Sequence, residues 1–243
     1  GKIDDLNLSS ILTALKVKGE TKEEIIGAAT IMRDKSLKIN SPDNTVDTCG
    51  TGGDMSNTLN ISTSAALVAA SAGAIIAKHG NRSVSSKSGS ADMLQCLGYK
   101  ISKNVNDLEN SLIKKNFCFL FAQNHHSAMK HVINVRKTLA TRTIFNLLGP
   151  LTNPANAKNQ LLGVFDKKWL MTHCESLLEM GSNKAMIVHG IDGLDEITLT
   201  NKTLITELKN KKIINYTFDP HDFGYQYIKL ADIKGGDPEY NAK

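Results

Sequence analysis

Asp47-Thr48-Cys49-Gly50-Thr51-Gly52-Gly53-Asp54 places three glycines in four residues directly after the β-branched pair Thr45-Val46. Glycine accepts positive φ, so successive backbone N–H groups can converge on an oxyanion with no side chain in the way. Downstream, Ser62 to Gly73 reads as an alanine-rich helix with Ser and Thr N-caps. Its N-terminus brings uncompensated N–H groups and the positive end of a dipole to the same place. A strand, a glycine loop and a helix start, in that order, predict an α/β unit with an anion site at the strand's carboxyl end. The loop is not a Walker motif, since Asp54 and not Gly-Lys-Ser/Thr follows Gly53. Glycines at 50, 52 and 53 also miss the Gly-x-Gly-x-x-Gly spacing of a dinucleotide site.

Upstream, Thr21-Lys22-Glu23-Glu24 forms a capping box before Ile25, Ala28, Ala29 and Met32 at helical spacing. With Leu8 to Leu15 this predicts a helical opening unit, left through a Pro42-containing linker. Beyond the glycine loop, strands are expected at Ala74–Ala77, Cys118–Phe121, Leu161–Val164 and Ala185–Val188. Helices are expected at Ala91–Leu97, closed by Gly98, and near 107–115, 126–138 and 168–180. Leu204–Leu208 and Ile213–Phe218 flank a Lys-Asn-Lys turn and read as a hairpin. The alternation predicts a mostly parallel sheet.

Lys78, His79, Asn81, Arg82, Ser83, Ser85, Ser86, Lys87, Ser88 and Ser90 fall in one loop after a buried strand. Hydroxyls and cations in that density suit several phosphate oxygens. Asp195-Glu196 follow the strand around Met186-Ile187-Val188 and the turn Gly190-Ile191-Asp192-Gly193. Adjacent acids are usually solvated, but beside a diphosphate site they are natural Mg²⁺ ligands, because hard oxygen donors suit that ion. His125-His126 and His131 lack a third ligand at metal spacing. Cys49 has no evident base beside it and reads as a small buried hydrophobe.

The chain has 243 residues, 41% hydrophobic, with a formal charge of +5 from lysines scattered along its length. No basic block and few aromatics argue against nucleic-acid binding. Four dispersed cysteines suggest neither a disulfide framework nor a zinc site, and a reducing cytoplasm fits them. No apolar run reaches membrane length, and Gly1-Lys2-Ile3-Asp4-Asp5 has no signal-peptide layout and no initiating Met.

Taken together, these motifs closely resemble the anthranilate phosphoribosyltransferase family. The resemblance runs through residues 49–54, 60–63 and 78–90, Arg-Thr-Ile-Phe-Asn-Leu-Leu-Gly-Pro-Leu-Thr-Asn-Pro at 142–154, and Gly-Leu-Asp-Glu at 193–196. It implies transfer of a phosphoribosyl group from phosphoribosyl diphosphate to anthranilate, with Mg²⁺. Gly50, Gly53, Asp54, Thr58, Asn60, Ile61, Ser62 and Thr63 match the family's diphosphate-binding positions. So do Lys78, His79, Gly80, Asn81, Arg82, Ser83, Val84, Ser85, Ser86 and Ser90. Ser62, Asp195 and Glu196 match the metal positions, and Gly50, Asn81 and Arg136 the anthranilate positions. No general base is implied, since an aniline nitrogen needs no deprotonation before attack.

The resemblance further implies a small helical domain hinged to a larger α/β domain of the nucleoside phosphorylase/phosphoribosyltransferase type, and a homodimer formed through the helical domain. Residues 1–40 would begin the helical domain and 41–130 the α/β domain, 131–157 would return through the hinge, and 158–243 would complete what is present of the α/β domain. Asn134 departs from the proline common before Val-Arg in the family. The chain is expected to begin after the family's first helix and to stop, at residues 235–243, where relatives continue. Two rival readings are a nucleoside phosphorylase and a non-catalytic nucleic-acid-binding relative of the same fold. The Asp195-Glu196 pair and the matches at Asn81 and Arg136 argue against the first, and the scattered charge against the second.

Overall fold

A computed structural model of the chain describes residues 1–83 and 87–243. Val84, Ser85 and Ser86, all expected at the diphosphate site, lie outside the described residues. Two helices open the chain, α1 (Asp5–Lys18) and α2 (Lys22–Asp34). The capping box is present as expected: Glu24 N–H donates to Thr21 Oγ1 and Thr21 N–H to Glu24 Oε2.

Among the described residues seven strands form one sheet: β1 (Val46–Asp47), β2 (Ile76–Gly80), β3 (Phe117–Phe121), β4 (Asn159–Gly163), β5 (Lys184–Gly190), β6 (Thr203–Lys209) and β7 (Lys212–Phe218). Their order is β3-β2-β1-β4-β5-β6-β7. All pairings from β3 to β5 are parallel, while β6 and β7 are antiparallel additions. The Asn210-Lys211 turn between β6 and β7 has both residues at positive φ, 52° and 58°, the twist that matches a tight hairpin.

Helices α3 (Ile61–Ser71), α4 (Ser90–Cys96) and α5 (Val105–Lys115) follow the first strands, and α9 (Trp169–Glu179) links β4 to β5. Between β3 and β4 run three short helices: α6 (Ala122–His125), α7 (Ile133–Leu139) and α8 (Phe145–Leu148). A four-residue helix, α10 (Pro238–Asn241), lies near the end.

Three expectations needed correction. The apolar run Ala74–Ala77 is not all strand: Ala74 N–H donates to Ala69 O and still closes α3, and β2 instead extends through polar Lys78, His79 and Gly80. The helix expected over 126–138 is broken. His126 turns out of helical geometry, a 3₁₀ turn covers Ser127–His131, and α7 restarts at Ile133. The start of α3 is capped by neither serine nor threonine; Asn60 is the N-cap residue and its side chain faces away from the helix.

One hydrophobic cluster joins Leu12 of α1, Ile25 and Ala29 of α2, Leu147 and Leu148 of α8, and Trp169, Cys174 and Leu177 of α9 to Leu162 and Ile187 in the sheet. The opening helices are therefore docked through α8 and α9. Among the described residues no helix is long and apolar enough to cross a membrane.

Candidate active site at the carboxyl ends of the parallel strands

The chain runs β1, β2, β3 to one side of the sheet and resumes with β4 and β5 on the other, and at such a switch point ligands bind in the crevice outside the carboxyl ends of the two central strands, here β1 and β4. The glycine loop crosses from one to the other. Thr51 N–H donates to Gly163 O at 2.8 Å, and Thr51 Oγ1 accepts from Phe165 N–H at 3.1 Å. Gly52 and Gly53 sit at φ 63° and 80°, where a side chain would strain the backbone.

The loop carrying Asp195 and Glu196 presses onto the same point. A Cβ on Gly163 would lie 1.6 Å from Asp195 O, and one on Gly50 would lie 3.4 Å from Asp195 Oδ2 and 3.0 Å from Gly163 O. Glycine at 50 and 163 is thus what lets three backbone segments meet. Glu196 Oε1 accepts from the Ser62 N–H at 3.2 Å, so a carboxylate already occupies the N-terminus of α3, as the dipole favours. Burial raises the Asp195 carboxyl to about 8, helped by the nearby charges of Asp54 and Glu196 and by a hydrogen bond shared with Asp54. Burial likewise raises Glu196 to about 7, against the pull of Lys78. These partly buried carboxylates, beside the Ser62 hydroxyl, form a hard oxygen donor set short of positive charge, which fits a divalent cation such as Mg²⁺. Among the described residues no group of His, Cys, Asp and Glu forms a ready-made metal cage, so further ligands must come from elsewhere.

Lys78 is buried beneath this point, with its ammonium donating to Thr48 O and Thr48 Oγ1 at 3.0 Å and to Ser62 Oγ at 3.4 Å. All three donors are engaged by the protein, so it meets the crevice through Ser62 and contributes its charge from below. The loop after β2 is fastened to α3. Asn60 Nδ2 donates to Ser88 O and Ser88 Oγ to Asn60 Oδ1, while Thr63 Oγ1 donates to Ser90 Oγ, all within 3.1 Å. Arg82 is turned onto α4, paired with Asp92 and donating to Gln95 Oε1. Asn81 Oδ1 accepts from Arg82 N–H and from Gln123 Nε2. Gly80 packs against the Phe119 ring. Thr58 is bridged by Lys234, and Asn241 donates to Asn60 Oδ1, so the end of the chain braces Ile61 and the entry to α3.

Two histidines lie below the same loop. His79 Nδ1 is 3.0 Å from Gly149 O and His79 Nε2 is 3.2 Å from His126 Nε2, both side chains being buried. Burial lowers His79 to about 3 and His126 to about 4, so the pair is neutral. Cys49 is half-buried, and burial pushes its thiol up, in keeping with a packing role.

None of the described hydrogen bonds or ion pairs of the Arg136 side chain reaches the glycine loop. Arg136 is half-buried on α7 with its guanidinium 5.5 Å from the Phe145 ring centre. The link back to the glycine loop is Arg142, which donates to Gly53 O and lies 4.1 Å over the Phe165 ring. Sequence reasoning did not single out Arg142, Thr51 or Gly163. A lone glycine ending a strand was the one available sign for Gly163.

Residues 42–243 match the α/β domain of a glycosyl transferase family, and residues 1–36 match its helical bundle domain. The anthranilate phosphoribosyltransferase of Thermoanaerobacter sp. (strain X514) is 51% identical over 237 residues, which is 97% of this chain and 70% of that protein. This chain belongs to the anthranilate phosphoribosyltransferase family. Its backbone superposes on the anthranilate phosphoribosyltransferase of Thermus thermophilus with a TM-score of 0.93 at 40% identity, covering 99% of this chain and 72% of that one. The Saccharomyces cerevisiae anthranilate phosphoribosyltransferase in complex with PRPP and Mg gives 0.90 at 34% identity, covering 98% and 66%. A small helical unit with a mostly parallel α/β domain is thus the family's fold, and this family uses magnesium. The chain spans about seven-tenths of the length of these first relatives.

Proposed function

We propose that this chain transfers the 5-phosphoribosyl group of phosphoribosyl diphosphate to the amine of anthranilate, releasing diphosphate, and that the β1–β4 crevice is where it does so. The observation that carries this reading is that the Asp195–Glu196 loop meets the glycine loop and the end of β4 at Gly50 and Gly163, while Glu196 reaches the N-terminus of α3 at Ser62.

Loss of diphosphate builds negative charge on the leaving group and positive character on the ribose, so the protein acts by positioning and preorganised electrostatics. The loop amides around Gly50, Gly53 and Asp54, with Thr58, Asn60, Ile61, Ser62 and Thr63, would cradle the diphosphate. Asn81, Ser83 and Ser90, at the carboxyl end of β2 and the start of α4, would add donors to it, and Lys78 would hold Ser62 in place from below. Ser62, Asp195 and Glu196 would hold Mg²⁺, which neutralises the diphosphate when bound. Gly50 and Asn81 would meet both substrates, and Arg136 would pair with the anthranilate carboxylate through its planar fork. Residues 1–40 and 131–157 would form a helical unit hinged on the rest, and two such units would make a homodimer. Cytoplasmic residence fits the free cysteines.

Loss of anthranilate fluorescence on adding phosphoribosyl diphosphate and Mg²⁺ tests the reading. No loss, together with phosphate-dependent cleavage of a pyrimidine nucleoside, would replace it with the phosphorylase alternative.

A further inference from the structure

We propose that Asp192 is a positioning residue for the Asp195–Glu196 pair: its carboxylate straps together the two ends of the short bow that presents them. The proposal rests on the reading that this pair holds Mg²⁺ with the diphosphate. Asp192 Oδ1 accepts from Leu194 N–H at 3.3 Å, just before the pair. Asp192 Oδ2 accepts from Thr198 Oγ1 at 3.0 Å and from Thr200 Oγ1, just after it. The two threonines are themselves joined, Thr200 N–H donating to Thr198 Oγ1 at 2.9 Å. Thr198 is buried, and its N–H donates to the buried Thr203 Oγ1 at 3.0 Å, which anchors the strap to the start of β6.

The backbone leaves room for this arrangement. A Cβ on Gly190 would come within 2.3 Å of Asp192 Oδ1, and Gly193 turns the chain at φ 96°. On one side the loop is stopped by β4, where Asp195 O meets Gly163. On the other side Ile191 and Gly193 border an open hollow of about 440 Å³, shared with Lys167 and His189. Ile191 is 53% exposed, so apolar packing does not fix the loop from that side. Leu194 is buried on the core side, and on the open side the bow is held by backbone bonds such as Gly190 N–H to Leu194 O and by the three that Asp192 accepts. Magnesium is exacting about octahedral geometry. A bow free to drift by a fraction of an ångström would keep its two carboxylates and lose their common focus.

Calorimetric titration of phosphoribosyl diphosphate, with and without Mg²⁺, separates this role from general support. For the unaltered protein, Mg²⁺ should tighten binding. In Asp192→Ala that magnesium-dependent gain should fall by about tenfold, with the magnesium-free affinity within about twofold of the original. Thr200→Val, which removes one bond and keeps the buried anchor, should lose roughly threefold of the gain. An undiminished gain in Asp192→Ala overturns the proposal, as does an equal loss with and without Mg²⁺. If that variant does not fold, an undiminished gain in Thr200→Val overturns it. Absence of any gain in the unaltered protein would instead sink the assignment of Asp195 and Glu196 as metal ligands, before any variant is considered.

Discussion

On the side of the glycine loop, where the diphosphate is proposed to sit, the ends of β1, β2, β4 and β5 and the start of α3 are tied to one another by direct hydrogen bonds or backbone contact. On the side that carries Arg136, the backbone is a four-residue helix, a five-residue 3₁₀ turn and a seven-residue helix, none with a side-chain N-cap bond. The Arg136 guanidinium rests against one aromatic ring. The contrast matches what each half must do. Charge develops on the diphosphate during the reaction, and donors fixed beforehand stabilise it without reorganising. On the proposed reading the aromatic acid would enter on the Arg136 side, where short helices without side-chain N-caps cost less to open.

The sharpest way to break the fixed side is Gly163→Ala. The added methyl would sit 1.6 Å from Asp195 O, and both atoms belong to backbone-anchored segments. The loop must move by more than an ångström, which should lower kcat/KM by at least about 100-fold, since misplacement of that order is felt strongly at reacting centres. The fold should persist. A variant with near-normal turnover would show that the diphosphate side is not fixed at all.

Arg136→Ala addresses the open side. If the guanidinium pairs with the anthranilate carboxylate, its loss should raise the KM for anthranilate by roughly 30-fold and that for phosphoribosyl diphosphate by less than about threefold. Parallel rises in both would remove the division of labour between the two halves. The expectation came from the motif, because the local structure gives Arg136 no acidic partner among the described contacts that would explain a cation there.

Much of the fold on the glycine-loop side was legible in the sequence because its signals are local. Glycines at 50, 52 and 53 and a helix beginning near Ser62 act within a few residues, as does the capping box at Thr21 in the opening helices, though the cap of α3 proved to be Asn60. The open side was not, because its structure depends on distant partners. His125 Nδ1 reaches Leu37 O at 2.6 Å, and His126 is drawn inward to His79, so the helix expected through 126–138 breaks where its periodicity looked intact. Lys78 and His79 were read as loop because buried polar strand residues defy hydrophobic patterning. Their partners, Thr48, Ser62, Gly149 and His126, are at least 16 residues away and invisible to any local rule.

That histidine pair joins the two halves and gives them a shared acid response. Both rings stay neutral in the fold, at about 3 and about 4, whereas the unfolded chain protonates near 6.5. The pair's own contribution to stability therefore falls as pH drops below 6.5, by about 1.4 kcal/mol for each ring at pH 5.5. Asp195 and Glu196, raised to about 8 and about 7, act in the opposite direction over the same range. The clean measurement is a difference: on going from pH 7.5 to 5.5, the change in stability of His126→Gln in denaturant melts should be about 1.4 kcal/mol more favourable than that of the unaltered protein. Parallel pH profiles would mean that His126 is not held neutral by the junction.

The smallest effect is expected at Arg142, where the two halves touch at the surface. Its guanidinium donates to Gly53 O and stacks over Phe165, so it tethers the glycine loop to the segment just beyond α7. Because Arg142 is exposed, the tether is screened by water and contributes on the order of 1 kcal/mol. Arg142→Ala should raise the KM for phosphoribosyl diphosphate by roughly threefold and leave that for anthranilate unchanged. Arg142→Lys should recover only part of this, since an ammonium cannot both stack flat on Phe165 and reach the Gly53 carbonyl. Should Arg142→Ala instead weaken anthranilate binding and spare phosphoribosyl diphosphate, the tether would belong to the open side, and the boundary between the two halves would run between Gly53 and Arg142.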